Sequence, residues 1–352
     1  MSVEVSWFSA LCDDDYRYLG LADSALRSSW AHCSDITRNA DQQGFDSILL
    51  PSGYQLGIDS VSFAGGVAAL TEQIRLLVAV RCGEMWVPQL ARQLATLDQM
   101  LNGRLSINII SSDMPGQTLA SEPRYARTRE TMQVLRSLLN GEAVDFAGEH
   151  LQLNLDAPNA RTVSGTCPLF YFGGLSEPAR QVAAECSDVF LMWPDTLPNV
   201  QNILSDMRER ASNFGRTLRF GYRVHVVVRE TEDQARAAAQ ELLSYLDAEE
   251  GERIRQRSLD SGSAGVMAQT ALRDGADNDG YAEENLWTGI GRARSGCGAA
   301  LVGDPDQILA KLKAYEDLGI EAFILSGYPH KDECDLFARY VLPKLDHGKL
   351  AA

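Results

Sequence analysis

The segment Arg219-Phe220-Gly221-Tyr222-Arg223-Val224-His225-Val226-Val227-Val228 sets a cation and an imidazole two residues apart in a β-branched run. In a strand, alternate residues share a face. Phe220, Tyr222, Val224, Val226 and Val228 then form an apolar face that must meet covering helices, and Gly221, Arg223, His225 and Val227 point the other way, into the interior. An arginine and a histidine turned inward are costly unless each is paired or serves a ligand. Arg223 and His225 are therefore the leading site candidates, with a structural ion pair to a buried carboxylate as the plainer alternative. A second run, Ile324-Leu325-Ser326-Gly327-Tyr328-Pro329-His330, ends a strand pattern with two side chains able to exchange protons, Tyr328 and His330. The other three histidines, His32, His150 and His347, fall in helix, hairpin and tail contexts where surface roles are expected. No histidine or carboxylate spacing matches a metal-ligand pattern, so no metal site is expected.

Further candidates surround these two runs. Leu191-Met192-Trp193-Pro194 puts Trp193 at a strand end, as core packing or as a wall beside a planar cofactor. Arg294, in Gly291-Arg292-Ala293-Arg294-Ser295-Gly296, sits beside a glycine-rich hinge that could carry it over an anionic substrate or leave it in solvent. Tyr171-Phe172-Gly173-Gly174-Leu175-Ser176-Glu177-Pro178 joins a strand to a helix start. Gly173, Gly174 and Ser176 could offer free backbone N–H groups to a phosphate, although Ser176 with Pro178 also makes an ordinary helix start. Arg124, Tyr125 and Arg127 are the nearest basic and aromatic residues to such a phosphate site.

The elements that must position these residues alternate regularly. Strands are expected over Val3–Phe8, Asp46–Leu50, Ile74–Val80, Arg104–Ile110, Pro168–Phe172, Asp188–Trp193, Arg219–Val228 and Glu321–Ser326. Helices are expected over Asp35–Gln43, Ser60–Glu72, Val87–Leu101, Arg124–Leu139, Ser176–Cys186, Leu197–Asn213, Glu232–Leu246, Pro305–Leu318 and Asp332–Leu345. Eight such alternations predict an α/β fold, a (β/α)8 TIM barrel, as one domain over 1–346 with a tail at 347–352. A doubly wound open sheet is the competitor, disfavoured because no GxGxxG follows the first strand. Two insertions interrupt the pattern: a hairpin at about 141–153, and a long lid at about 247–303 between the seventh and eighth strands, rich in Gly, Ser, Asp and Asn. A polar insertion of that length in a compact domain is usually a lid, a binding loop or disordered, with a solvated excursion of no role as the plainer alternative.

Charge narrows the partners. A formal net charge of −16 repels nucleic acid and anionic membrane surfaces, so any anionic ligand needs a local basic pocket. The amino terminus lacks the pattern of a secretory leader, and there is no run of about 18 apolar residues. Seven scattered cysteines without a CxxC pair fit reduced thiols packed as small apolar residues, and a cytoplasmic location is expected.

With these segments in hand, the sequence resembles the bacterial luciferase-like flavin monooxygenases, most closely the alkanesulfonate monooxygenase branch. The resemblance runs from Val5-Ser6-Trp7-Phe8 to about Pro343. Its specific blocks are Ala95-Thr96-Leu97-Asp98, Tyr171-Phe172-Gly173-Gly174, Phe220 to His225, Leu286-Trp287-Thr288-Gly289-Ile290-Gly291 and Leu325 to His330. It implies reduced FMN (FMNH2) supplied by a separate NAD(P)H-dependent flavin reductase, with O2 as co-substrate. The substrate would be an organosulfonate, cleaved at its C–S bond to sulfite and an aldehyde. By matching position, Arg223, His225, Tyr328 and His330 would surround the reacting groups, Arg294 would arrive with the lid, and Trp193 would line the pocket. Tyr125, Gly173, Gly174 and Ser176 would lie near the FMN phosphate. A homo-oligomer, dimer or tetramer, is implied as well. One departure stands out: in Pro51-Ser52-Gly53-Tyr54-Gln55-Leu56-Gly57-Ile58-Asp59, Leu56 takes the place of the family's cysteine. The loop Cys12-Asp13-Asp14-Asp15-Tyr16-Arg17-Tyr18 is also unusually acidic. A sulfosugar such as sulfoquinovose, or a short sulfonate, is compatible with both. The competing readings are a related monooxygenase acting on a non-sulfonate, a deazaflavin-dependent oxidoreductase on the same barrel, and a catalytically inactive flavin binder.

Overall fold

The computed structural model describes residues 2–53, 57–114, 116–256 and 262–351. Leu56 lies outside them, as does Ser261 in the lid. Among the described residues, thirteen strands occur in chain order: β1 (Glu4–Phe8), β2 (Ser47–Leu50), β3 (Arg75–Arg81), β4 (Leu105–Ile110), β5 (Val144–Ala147), β6 (Gln152–Leu155), β7 (Phe170–Phe172), β8 (Val189–Met192), β9 (Arg219–Val228), β10 (Tyr281–Glu283), β11 (Leu286–Trp287), β12 (Ala300–Gly303) and β13 (Ala322–Ser326). Eight of them close on themselves in the order β1-β2-β3-β4-β7-β8-β9-β13, every neighbouring pair parallel, with β13 returning to β1. This is the (β/α)8 barrel expected from the alternation, and all eight proposed strands are present. β5 and β6 form the antiparallel hairpin expected near 141–153.

The period-2 pattern sorts side chains as read. Phe220, Tyr222, Val224, Val226 and Val228 join the core between barrel and helices, while Phe8, Leu49, Leu77, Tyr171, Val189, Ala322 and Ile324 fill the barrel interior. At the amino-terminal end of the barrel the buried Glu4 accepts from Tyr171 Oη at 2.7 Å and pairs with Arg75 at 3.0 Å. Residues 347–351, read above as a tail, dock there: Leu350 is buried with the interior cluster and donates its N–H to Glu4.

Several helix ends differ from the expectation, each for a local reason. Helix Ser121–Leu139 begins three residues before Arg124, because Pro123 falls in a first turn where a missing N–H costs nothing. Helix Ser60–Val67 stops early and gives way to a 3-10 turn at Ala68–Leu70. Helix His330–Tyr340 starts directly after Pro329, so His330 lies in its first turn.

The long insertion is far more ordered than its composition suggests. It follows helix Glu232–Glu241 and contains helices Ala248–Arg255 and Ala264–Asp274, then β10, β11 and β12, with Tyr281, Leu286, Trp287 and Ile290 buried. Two of its polar residues are helix caps: Asp247 accepts from Glu250 N–H and Ser263 from Val266 N–H. β12 runs parallel to β9, pairing Ala300 with His225 through Gly303 with Val228. β9 is thus flanked along one edge first by β8, as far as Tyr222, and then by β12, while β13 holds the opposite edge from Gly221 to His225.

Candidate functional site

A cavity of about 660 Å³ opens at the carboxyl ends of the barrel strands, the usual place for chemistry in this fold. Arg223, Arg294, Tyr328 and Trp193 line it, and so do Tyr125, Gly173, Gly174 and Ser176. Eight of the ten residues proposed from sequence therefore meet in one chamber. The two histidines do not border it: His225 and His330 are fully buried behind its wall.

Arg223 owes its position to β9, whose alternation turns it inward. It is 3% exposed, and its guanidinium donates to Val224 O at 2.9 Å and Ser326 Oγ at 2.7 Å and lies 4.3 Å from the Phe8 ring centre. None of these partners carries a negative charge. Burial lowers its pKa from the usual arginine value, yet arginine starts so far above neutrality that it stays cationic. Among the described residues, the structural ion pair considered above is absent.

Ser326, at the end of β13, links Arg223 to His225: its Oγ lies 2.7 Å from Arg223 Nη2 and 2.7 Å from His225 Nδ1. Arginine only donates, so the hydroxyl accepts from Arg223 and keeps its own proton for His225 Nδ1. That arrangement leaves the imidazole proton on Nε2, which is buried without a hydrogen-bond partner among the described residues. Burial, then the positive charges of Arg223 and Arg294, hold His225 well below the usual histidine pKa, so it is neutral at pH 7.

Tyr328 is the centre of an aromatic wall. His225 stacks on it with ring centres 5.0 Å apart, His330 meets it edge-on at 5.2 Å, and Tyr16 approaches at 5.8 Å. Burial pushes its phenol well above the usual tyrosine value, so the proton stays on. Arg294 donates to that phenol oxygen at 2.8 Å and to Asp14 Oδ2 at 2.6 Å. Burial opposes the Arg294 charge, but Tyr328 and Asp14 outweigh it and hold the guanidinium firmly protonated. The residue expected to swing in with the lid is already seated in the cavity.

His330 stacks on Phe8 at 5.7 Å, and its Nδ1 lies 2.8 Å from Asp15 Oδ1, close enough for strong attraction though not aligned as a hydrogen bond. The same carboxylate takes the His330 N–H at 3.0 Å and reaches His32 Nε2 at 2.8 Å. Burial raises the Asp15 pKa, but His330 and His32 overcome it and leave the carboxyl well below its usual range. His32, expected as an ordinary surface residue, is therefore tied to the site through Asp15.

A second group of lining residues suits a phosphate-bearing planar cofactor. Ser176 caps helix Glu177–Cys186 by accepting the Ala179 N–H, and a helix start of this kind at a cavity wall suits an anionic group. A Cβ on Gly173 would come within 1.9 Å of the Leu191 carbonyl oxygen, and one on Gly174 within 2.7 Å of the Ala179 Cβ, so only glycine keeps this turn open. Tyr125, Arg124 and Ser111 add polar groups, and Leu49, Ile109 and Met192 supply apolar surface for a ring system. Trp193, 37% exposed, is wedged between lid residues Gly265 and Gly296, whose missing side chains let both segments approach the indole within about van der Waals contact.

Sequence reasoning did not single out Asp14, Asp15, Ser326 or Arg81. Asp14 and Asp15 carried a signal in the acidic loop. Arg81 ends β3 at the same rim, lines the cavity, and donates to Ser52 O at 3.2 Å and Gly53 O at 3.0 Å. Cys12 and Cys297 also border the cavity, but burial pushes both thiols above the usual cysteine range, so they pack as apolar groups.

The chain is 63% identical over 354 residues to the sulfoquinovose monooxygenase of Novosphingobium aromaticivorans, covering 99% of this chain and 98% of that one. It is 51% identical over 347 residues to the sulfoquinovose monooxygenase of Agrobacterium fabrum, covering 98% and 90%. Among solved structures, a riboflavin lyase with modified FMN and riboflavin superposes with a TM-score of 0.79 at 16% identity, over 98% of this chain and 91% of that one. The fold is shared as well with a long-chain alkane monooxygenase, at a TM-score of 0.77 and 16% identity over 100% and 93%. The family described as luciferase-like monooxygenase matches residues 10–322. The chain belongs to the luciferase-like monooxygenase family.

Proposed function

We propose that this protein is an FMNH2-dependent, desulfonating monooxygenase whose substrate is a sulfosugar of the sulfoquinovose type. The observation that carries the reading is Arg223: a buried cation lining the cavity, with only neutral hydrogen-bond partners among the described residues, in a chain of net charge −16. Such a group is stable where an anion completes it. The names of the relatives at 63% and 51% identity supply the chemical class of that anion.

The overall reaction balances as sulfonate, FMNH2 and O2 giving aldehyde, sulfite, FMN, water and a proton. Reduced FMN, when bound, supplies the electrons and activates dioxygen. The rest falls to the chain. Arg223 holds the sulfonate by charge-assisted hydrogen bonds and meets the charge that grows as sulfite departs. Ser326 fixes the guanidinium and orients His225. The Tyr328 phenol, its oxygen already accepting from Arg294, keeps its proton free to donate into the cavity. His330, seated on Asp15, holds the Tyr328 and Phe8 rings in place. Tyr125, Gly173, Gly174 and Ser176 position the FMN phosphate, and Trp193 with the lid keeps water out. A separate NAD(P)H-dependent reductase supplies the reduced flavin.

The test is sulfite release from sulfoquinovose with enzymatically reduced FMN in air, with oxygen uptake followed in parallel. Stoichiometric sulfite and oxygen consumption are expected. Substrate oxidation without oxygen uptake would point to deazaflavin chemistry and overturn the reading.

A further inference from the structure

Arg294 and Trp193 line the cavity beside one joint, where the insertion meets the end of β8. A buried polar group sits in that joint. Gln269, on helix Ala264–Asp274, is 8% exposed and does not border the cavity. Its side-chain amide donates from Nε2 to Pro194 O at 2.7 Å and accepts at Oε1 from the Gly298 N–H at 3.1 Å. A carbonyl only accepts and a backbone N–H only donates, so the two partners fix which way the amide points.

Those two bonds join separate stretches of chain. Pro194 follows Trp193 at the β8 rim, and the next residue is held to the barrel, since Tyr222 Oη on β9 donates to Asp195 O at 3.1 Å. Gly298 ends the segment 294–298, in which Gly296 packs against the Trp193 indole and Cys297 Sγ lies 3.4 Å from Arg223 O. Gly265 packs against the same indole one helical turn before Gln269, so both belong to the helix face turned toward the rim. An apolar side chain at 269 could fill the same volume but would neither donate nor accept. A buried amide satisfied at both ends instead specifies one arrangement of the segments that it joins.

We propose that Gln269 is a positioning residue of the monooxygenase site: its amide holds segment 294–298 to the β8 rim and so keeps Arg294 on the Tyr328 phenol, 2.8 Å away, during turnover. The inference rests on the desulfonating function proposed above and names what fixes one of its cations in place. Gln269 does this without touching a ligand. When the tie is cut, Arg294 leaves Tyr328 and water enters the chamber. Reduced FMN and O2 then end as FMN and hydrogen peroxide, and the sulfonate keeps its C–S bond.

Gln269→Met and Gln269→Leu test this in single turnover. Enzyme in excess over reduced FMN is saturated anaerobically with sulfoquinovose and mixed with oxygenated buffer, and sulfite and hydrogen peroxide are measured per flavin. The sulfite-to-peroxide ratio is expected to fall about tenfold in both variants, the size expected when a buried donor and acceptor lose their partners. The dissociation constant of reduced FMN should stay within about threefold of wild type, because the phosphate cradle stands on other elements. Hydrogen exchange should find the Gly298 amide protected in the wild type and unprotected in the variants. A ratio that stays at the wild-type value, or a Gly298 amide that exchanges freely in the wild type, would overturn the inference alone. So would variants that fail to fold or lose flavin binding in step with sulfite, since Gln269 would then be a general core residue. No sulfite from the wild type would overturn the proposed function and the inference with it.

Discussion

Replacing Arg223 with methionine separates a site cation from a structural one, because the two roles predict opposite balances of stability and activity. Desolvating a guanidinium costs several kcal/mol. Its two short hydrogen bonds, to Val224 O and Ser326 Oγ, return roughly 1.5–3 kcal/mol each as bonds to a charged group. The contributions nearly cancel, and methionine fills much of the same volume against Phe8. Arg223→Met should then leave the thermal midpoint within about 3 °C of wild type. Catalysis should suffer far more. Removing one partner from a buried charge pair costs about 2–5 kcal/mol, so kcat/KM for sulfite release should fall roughly thirtyfold to a few thousandfold. Calorimetry and the sulfite assay on the same preparation decide the matter. Wild-type sulfite release, or a fall of 10 °C or more accompanying the lost activity, would refute the assignment of Arg223 as the anion-binding group.

Two further outcomes follow from the same wall and cradle. His225 is neutral in the fold and has its pKa held well below the usual value of about 6.5, so the unfolded chain binds its proton first. Its contribution to stability is complete above about pH 6.5 and is lost as pH falls toward the folded value, at up to about 1.4 kcal/mol per pH unit. His225→Asn should flatten that part of the acid limb in urea melts between pH 6.5 and 5; an unchanged slope would contradict the buried neutral state. Tyr125→Phe should weaken binding of reduced FMN severalfold to tenfold in anaerobic fluorescence titrations while leaving kcat at saturating flavin near wild type, and a selective loss of kcat would move Tyr125 from flavin binding to the chemistry.

The barrel was legible because its signal is redundant: eight apolar runs, each followed by a helical period, leave few other solutions. Arg223 was legible for a similar reason, since alternation along a ten-residue strand fixes which side chains face inward. What the strand pattern does not encode is depth. His225 and Arg223 share a face, yet one borders the cavity and the other lies behind Ser326, a distinction set by the height of β13 against β9. Asp15 and His32 reach His330 from more than 290 residues away, and no local spacing reports such a contact. The order of the insertion is not legible in its composition: its Ser, Asp and Gly residues read as loop, but Asp247 and Ser263 serve as helix caps, and the apolar Tyr281, Trp287 and Ile290 pack into a buried cluster with Leu19, Val227, Ala235 and Tyr328.

The handover along one edge of β9, from β8 to β12, has a consequence for how this enzyme can change. The stretch bearing His225 projects beyond the shortest barrel strands and is clasped there by a strand that the insertion itself contributes. The cover and the foundation of the chamber are thus one piece of chain. Trimming the insertion to admit a bulkier ligand would strip hydrogen bonds from the backbone beneath the reacting groups and expose a bare strand margin, so new substrates are more readily reached by altering the loop after β1, where Asp14 resides, than by shortening the roof.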